Sequence, residues 1–256
     1  MIGNIDFSKK QVVIFDLDGT LAISKSPLDS EMSQLIARLL DKYKVIIISG
    51  GHLKQFDKQV IKRLSIPDEK FSNFFILPGS GSSMYRFNGK REELIYADKL
   101  SPEEKEKIIH AFYYALEKVP FNLPDFPYGE RIEDRDIEVT FSALGQSAPV
   151  KEKEKWDPTH QRREILIKFL EEKIPEFEIH MGGMTSIDIT KKGVNKAYGI
   201  RRASEELKIP ISNMVFVGDA LYKDGNDAPA IESGIEYISV KDVEETKKLI
   251  REIIGA

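Results

Sequence analysis

The stretch QVVIFDLDGT, Gln11 to Thr20, decides how the chain is read. Val12 to Phe15 are apolar and mostly β-branched without alternation, the pattern of a strand covered on both faces of a parallel sheet. The run stops at Asp16, a second carboxylate follows at Asp18, and Gly19-Thr20 turns the chain. Open α/β sheets bind ligands at the carboxyl ends of their strands, so both acids are delivered to the edge where chemistry is done. An aspartate there can take a phosphoryl group as an acyl phosphate, dividing one hard displacement into two easier ones. A neighbouring carboxyl can protonate the leaving oxygen and then activate water. Gly19 keeps the turn free of a side chain, and Thr20 offers a hydroxyl and an amide to an anion.

Outward from that strand, Met32, Leu35, Ile36, Leu39 and Leu40 form one helical stripe, and KVIIIS, Lys44 to Ser49, is a second buried strand stopped by Gly50-Gly51. Ser49 brings a small hydroxyl to the same sheet edge. Val60, Ile61 and Leu64 predict a further helix before the strand FFIL, Phe74 to Leu77. The rhythm then changes. An Asn88-Gly89 turn signal between SSMYRF and ELIYA predicts a hairpin. Ser101-Pro102-Glu103-Glu104 carries the capping signals of a helix whose face is Ile108, Ile109, Phe112, Ala115, Leu116 and Val119. A proline-rich connector, the strand IEVTFSAL from Ile137, a helix opened by Asp157-Pro158, and the strands FEIHM and TSIDIT complete an α+β segment. From Val194 the helix–strand alternation resumes, with the buried strand MVFVG at Met214 to Gly218, the strand IEYISV and a last helix ending near Ile254. The expectation is an α/β fold: a Rossmann-like parallel-sheet core of residues 1–83 and 186–256, interrupted by an α+β domain over residues 84–185 with an antiparallel sheet.

The returning segments carry further chemistry. Lys196, at a helix start, could neutralise the charge gathered when an anionic nucleophile meets a phosphate. Asp219 ends a buried strand, and Asp224, Asn226 and Asp227 follow in a glycine-punctuated loop. Oxygen ligands from two strand ends suit Mg²⁺, which favours carboxylates together with substrate phosphate.

Composition narrows the rest. Among 256 residues, 38 Lys+Arg against 42 Asp+Glu give a net charge of −4, which supplies no general field for a nucleic acid or an anionic membrane. There are no cysteines, and the four histidines are scattered, so thiolate and imidazole metal cages are excluded and any metal must be held by oxygen. No run approaches the roughly 18 apolar residues of a membrane span. Neither GxxxxGK[ST] nor GxGxxG occurs, which disfavours a nucleotide enzyme. A cytoplasmic enzyme is expected.

DLDGT, the Ser49 strand end, Lys196 and GDALYKDGND, taken in that order, resemble the four motifs of the haloacid dehalogenase superfamily. An insert between the second and third motifs resembles its Cof-type branch, which carries a larger α+β cap. Within that branch IEDRDIEVTFSALGQ, GGMTSIDITKKGVNK and the long GDALYKDGND loop are similar to the eukaryotic-type phosphomannomutases and their prokaryotic relatives. The resemblance implies Asp16 as nucleophile, Asp18 as general acid and base, and Thr20, Ser49 and Lys196 as phosphoryl holders. It implies Mg²⁺ on Asp16, the Asp18 main-chain carbonyl and Asp219, with Asp227 supporting. The candidate substrate-binding residues are Gly50, Arg135, Ser186, Asp188 and Asn226.

One position departs from the mutase pattern, which has an arginine where this chain has Gln146 in SALGQ. A mutase must hold a sugar bisphosphate by the phosphate that is not reacting, and a neutral amide replaces a bidentate cation poorly. Arg131, Arg162 and Arg163 are the candidates to substitute. Hydrolysis of a small phosphorylated metabolite, most simply a hexose phosphate, is therefore the first expectation. Interconversion of hexose 1- and 6-phosphates is the second, and a non-catalytic binding protein a distant third. A homodimer through the cap is the one protein partner considered.

Overall fold

The computed structural model describes residues 5–223 and 225–255. The chain divides into two compact units, residues 1–97 with 194–256, and residues 98–193.

The first unit opens with β1 (Val12–Asp16), α1 (Ser30–Leu39), β2 (Lys44–Ile48), and α2 (Leu53–Phe56), which runs into a π-helical turn over Asp57–Ile61. It continues through β3 (Phe74–Leu77) and the hairpin β4 (Ser83–Asn88) and β5 (Arg91–Ala97). The second unit holds α3 (Pro102–Lys118), β6 (Ile132–Asp134), β7 (Glu138–Ser142), α4 (Val150–Trp156), α5 (Gln161–Lys173), β8 (Phe177–Met181) and β9 (Ser186–Lys191). The chain then returns to the first unit with α6 (Lys196–Leu207), β10 (Met214–Gly218), α7 (Ala228–Ile231), β11 (Glu236–Ser239) and α8 (Val243–Ile254).

In the first unit a seven-stranded sheet runs β11-β10-β1-β2-β3-β4-β5, parallel as far as β3 and antiparallel beyond it. β1 lies between β10 and β2, with Val12 opposite both Met214 and Lys44. The unbroken apolar run is explained by cover on both faces. Val13 and Phe15 join one core with α1 and α8 residues such as Ile36 and Ile250, while Val12 and Ile14 join a second with Ile200 of α6 and Ala230 of α7. Each of these four β1 side chains is at most 1% exposed, and burying one contributes on the order of 1.5–3 kcal/mol.

In the second unit a four-stranded antiparallel sheet runs β6-β7-β9-β8. Alternation sorts its faces. Val139, Phe141, Ile187 and Ile189 pack with Phe112 of α3 and Leu166 of α5, so Glu138, Thr140, Ser142, Ser186 and Asp188 stand on the opposite, polar face. The capping box at Ser101 and Glu104 forms as the sequence indicates, while α4 and the short β6 were not expected.

The unit boundaries differ from the expected 84–185. The Asn88-Gly89 hairpin is present, but Phe75 pairs with Arg86 and Ile76 with Tyr85, so β4 and β5 extend the sheet of the first unit. At the other end β9 pairs with β7 and β8, which carries the second unit, with Ser186 and Asp188, on to Gly193. Among the described residues no helix is long and apolar enough to cross a membrane.

Candidate active site

Parallel pairing of β1 with its neighbours brings the motif residues together. Asp16 is the last residue of β1, opposite Ile48, so Ser49 lies one residue further along the neighbouring strand end. On the other side β10 ends at Gly218 and hands over to Asp219. Asn195 caps α6 by accepting from Tyr198 N, which fixes Lys196 as the first helical residue.

Lys196 is the hub. Its Nζ donates to Asp16 Oδ1 at 2.5 Å and to Asp227 Oδ1, with all three side chains at most 3% exposed. Burial opposes the lysine's charge most strongly, but the Asp16 and Asp227 carboxylates outweigh it and hold the ammonium above its ordinary range. Burial pushes Asp16 up to about 6; Lys196 pulls it down and Asp227 pushes it up. Asp227 Oδ2 accepts from Ala220 N at 2.9 Å, so this acid ties the loop to the end of β10, and its side chain does not cap α7.

Carboxylate oxygens of Asp16, Asp219 and Asp227 lie within 4.8 Å of one another. Three acids against one ammonium leave two uncompensated negative charges in a largely buried place, a burden usually relieved by a cation or a proton. Asp16 Oδ2 is itself buried without a hydrogen-bond partner. The orphaned oxygen and the all-oxygen donor set fit a hard divalent ion. Gly19 makes room for this cluster. Its φ is +94°, and a Cβ there would lie 2.4 Å from Asp219 Oδ2. Thr20, fully buried, donates from Oγ1 to Asp219 Oδ1 at 2.8 Å.

Ser49 is 5% exposed, and its Oγ accepts from Gly51 N at 3.2 Å. Gly50 and Asn226 are exposed on their loops. Asp224 lies outside the described residues. The Asp18 carboxylate is engaged elsewhere: Oδ1 accepts from Lys25 N at 2.6 Å and Gln59 Nε2 at 3.2 Å, and Oδ2 from Gln55 Nε2 at 3.1 Å. Sequence reasoning did not single out Gln55 or Gln59. A polar i, i+4 pair on a helix ordinarily reads as a solvated face, and only the folded loop shows what they meet.

The second unit holds its own polar cluster. Arg135 donates to Glu133 Oε2 at 2.7 Å, to Glu138 Oε1 at 3.0 Å and to Gln146 Oε1 at 3.4 Å. Thr140 Oγ1 donates to Asp188 Oδ1 at 2.8 Å, and Ser186 pairs across the strands with Ser142. Burial, and then the nearby Asp188, push Glu138 up to about 7 against the pull of Arg135. Glu138 and Thr140 are further residues the sequence did not mark; their place in an alternating strand was the available signal. The three arginines considered as substitutes for a phosphate clamp are otherwise engaged. Arg131 donates to the Ala143 and Pro124 carbonyls, Arg162 stacks over Phe121 and Trp156, and Arg163 is buried against Asp157.

The sequence model of one family, haloacid dehalogenase-like hydrolase, matches residues 13–233. Among characterised proteins, phosphomannomutase 2 of Dictyostelium discoideum is 25% identical over 229 residues, covering 86% of each chain. The phosphomannomutase of Saccharomyces cerevisiae is 25% identical over 254 residues, covering 95% of this chain and 94% of its own. Among solved structures, a trehalose-6-phosphate phosphatase of Aspergillus fumigatus aligns with a TM-score of 0.61 at 16% identity, covering 98% of both chains. An IMP-nucleotidase of Plasmodium falciparum aligns with a TM-score of 0.65 at 17% identity, covering 96% of this chain and 68% of the other. These two structural matches speak for the fold.

Proposed function

The chain belongs to the haloacid dehalogenase-like hydrolases, and on that premise we propose that it is a Mg²⁺-dependent cytoplasmic phosphatase of a small sugar phosphate, working through an aspartyl-phosphate at Asp16. The observation that carries this reading is the buried Asp16–Lys196–Asp227 arrangement beside Asp219, at the carboxyl end of the central strand.

In the first step an Asp16 oxygen forms a bond to phosphorus while the bond to the sugar oxygen breaks, and Asp18 gives its proton to that oxygen. In the second, water attacks phosphorus, the bond to Asp16 breaks, a water proton passes to Asp18, and inorganic phosphate leaves. Thr20, Ser49 and Lys196 hold the phosphoryl oxygens, and Lys196 keeps the Asp16 carboxylate oriented through both displacements. Mg²⁺ held by Asp16, Asp219 and the Asp18 main-chain carbonyl, with Asp227 behind them, would offset the negative charge gathered around the transferring group. Gly50, Arg135, Ser186, Asp188 and Asn226 are proposed to bind the rest of the substrate.

Hydrolysis is preferred to mutation of the sugar because Gln146 brings no charge where the mutase pattern has an arginine, and its Oε1 is taken by Arg135. The specific support for the second reading is the 25% identity to phosphomannomutases over most of both chains. Incubation with mannose 1-phosphate, Mg²⁺ and a catalytic amount of the 1,6-bisphosphate separates the two. Free phosphate without mannose 6-phosphate supports the phosphatase; accumulating mannose 6-phosphate supports the mutase. Loss of both in Asp16→Asn is expected, and a working Asp16→Asn would remove the covalent route. A homodimer through the second unit belongs to the same proposal and is tested by sedimentation equilibrium.

A further inference from the structure

The Asp18 carboxylate sits in a frame of neutral donors that the reaction scheme above does not use. Gln55 Nε2 donates to Oδ2 at 3.1 Å, Gln59 Nε2 to Oδ1 at 3.2 Å, and Lys25 N to Oδ1 at 2.6 Å. The two glutamines are four residues apart, one in α2 and one in the π-helical turn that continues it, so both reach the same target from one side. π-turns recur at functional sites, where they re-aim side chains.

Gln59 is only 4% exposed, and both of its amide donors are committed. Nε2 also donates to the Ser26 carbonyl at 2.8 Å, while Oε1 is buried without a partner. Turning the amide over would set Oε1 against the Asp18 carboxylate and the Ser26 carbonyl, two acceptors, so the observed orientation is the one the surroundings allow. The Gln59 main-chain carbonyl accepts from Leu28 N at 2.8 Å, which ties the loop after Asp18 to the same helical turn. Gln55 lies over Gly51, where a Cβ would come within 2.4 Å of Gln55 Oε1. The second glycine of Gly50-Gly51 thus opens the path by which Gln55 reaches Asp18.

We infer that Gln55 and Gln59 are positioning residues for Asp18, holding its carboxylate in the orientation from which it gives and takes the proton. The inference rests on the assignment of Asp18 as acid and base. A leaving sugar alkoxide needs that proton as its bond to phosphorus breaks; a 4-nitrophenolate leaves without one. Attack of water on the aspartyl-phosphate needs Asp18 as base whatever the first leaving group was.

The test compares wild type, Gln55→Met and Gln59→Met, with Mg²⁺ present. The substrates are 4-nitrophenyl phosphate and whichever of mannose 6-phosphate, glucose 6-phosphate and fructose 6-phosphate the wild type hydrolyses fastest. Methionine keeps the length of glutamine and removes both donors. The expected result is a fall in kcat/KM for the sugar phosphate about tenfold or more beyond the fall for the aryl phosphate. A burst of 4-nitrophenolate, one per active site, is expected before slow turnover, because the second step has become limiting. Equal losses on both substrates, with no burst, would overturn the inference and leave the glutamines as loop supports. If Gln59→Met does not fold, the half-buried Gln55 decides the matter alone. A wild type inert toward every phosphate, or an active Asp16→Asn, would instead overturn the underlying assignment, and this inference with it.

Discussion

Gly19 and Asp219 face each other across the break between the first and last thirds of the chain, with no space for a methyl group between them: a Cβ on Gly19 would fall 2.4 Å from Asp219 Oδ2. The glycine also has φ +94°, a conformation that side chains resist. Gly19→Ala is therefore expected to displace Asp219 from Asp16 and lower kcat about 10²-fold, the scale of an ångström of misplacement. Backbone strain adds a loss of about 1–2 kcal/mol in stability. Steady-state kinetics with a denaturation curve check both, and an alanine variant with unchanged Mg²⁺ dependence would contradict the geometry.

Removing the ammonium at the centre should cost more than activity. Lys196→Met leaves Asp16 and Asp227 buried and uncompensated, and breaking such a pair typically costs about 3–5 kcal/mol. The loss should shrink as pH falls from 7 toward 5, because Asp16, which burial pushes up to about 6, can then be buried neutral. Millimolar Mg²⁺ should restore part of it, since a ligand that binds only the folded state stabilises that state. Melting temperatures across that grid are the measurement; a variant equally stable at every pH and Mg²⁺ concentration would speak against a charged cluster.

Glu138 gives a pH dependence that can be read separately. Its folded value, about 7, lies above its ordinary value of 4.5, so the folded state holds a proton that the unfolded chain has lost. The corresponding stability is complete below about 4.5 and is lost as pH rises through about 7, amounting to roughly 3 kcal/mol for a shift of this size. Trp156, the single tryptophan, belongs to the second unit and reports its unfolding by fluorescence. Glu138→Gln should flatten the fluorescence-detected stability between pH 5 and 8, whereas a profile as steep as wild type would place the titration elsewhere.

Arg163 and Asp157 form a buried pair, 2.8 Å apart and at most 2% exposed, and Arg163 also holds the carbonyls of Gly182 and Gly183. Arg163→Met alone should destabilise the second unit by about 3–5 kcal/mol, while Arg163→Met with Asp157→Leu should lose much less, because no charge is then left unpaired. A double-mutant cycle read through Trp156 decides it. Additive losses would show the two side chains acting independently.

The parts of the molecule that could be read beforehand are those where one local pattern has one structural outcome. A β-branched run ending in an acid, repeated at Phe15-Asp16 and Gly218-Asp219, can hardly avoid placing carboxylates at a sheet edge, and the Ser101–Glu104 capping box started its helix on schedule. What escaped was set by partners distant in sequence. Asn88-Gly89 specifies a hairpin but not the sheet that receives it, and only Phe75 and Ile76 of β3 draw it into the first unit. Gln55 and Gln59 look like surface residues until the loop carrying Asp18 folds over them. Gln146 was legible as an absence of charge, but its bond to Arg135 required the β6–β7 region to be assembled first.

The central strand's two neighbours also dictate when this protein can become whole. β1 is completed on one side by β2, soon after it emerges, and on the other by β10, with Val12 opposite Met214. At about 5–20 residues per second, a ribosome needs roughly 10–40 s to bridge that gap. Throughout that interval the newborn chain carries an apolar strand with one naked hydrogen-bonding edge, and for most of it Asp16 is a carboxylate without Lys196. Any truncation before Asp227 therefore yields a polypeptide that lacks at least one carboxylate of the Asp16, Asp219 and Asp227 cluster.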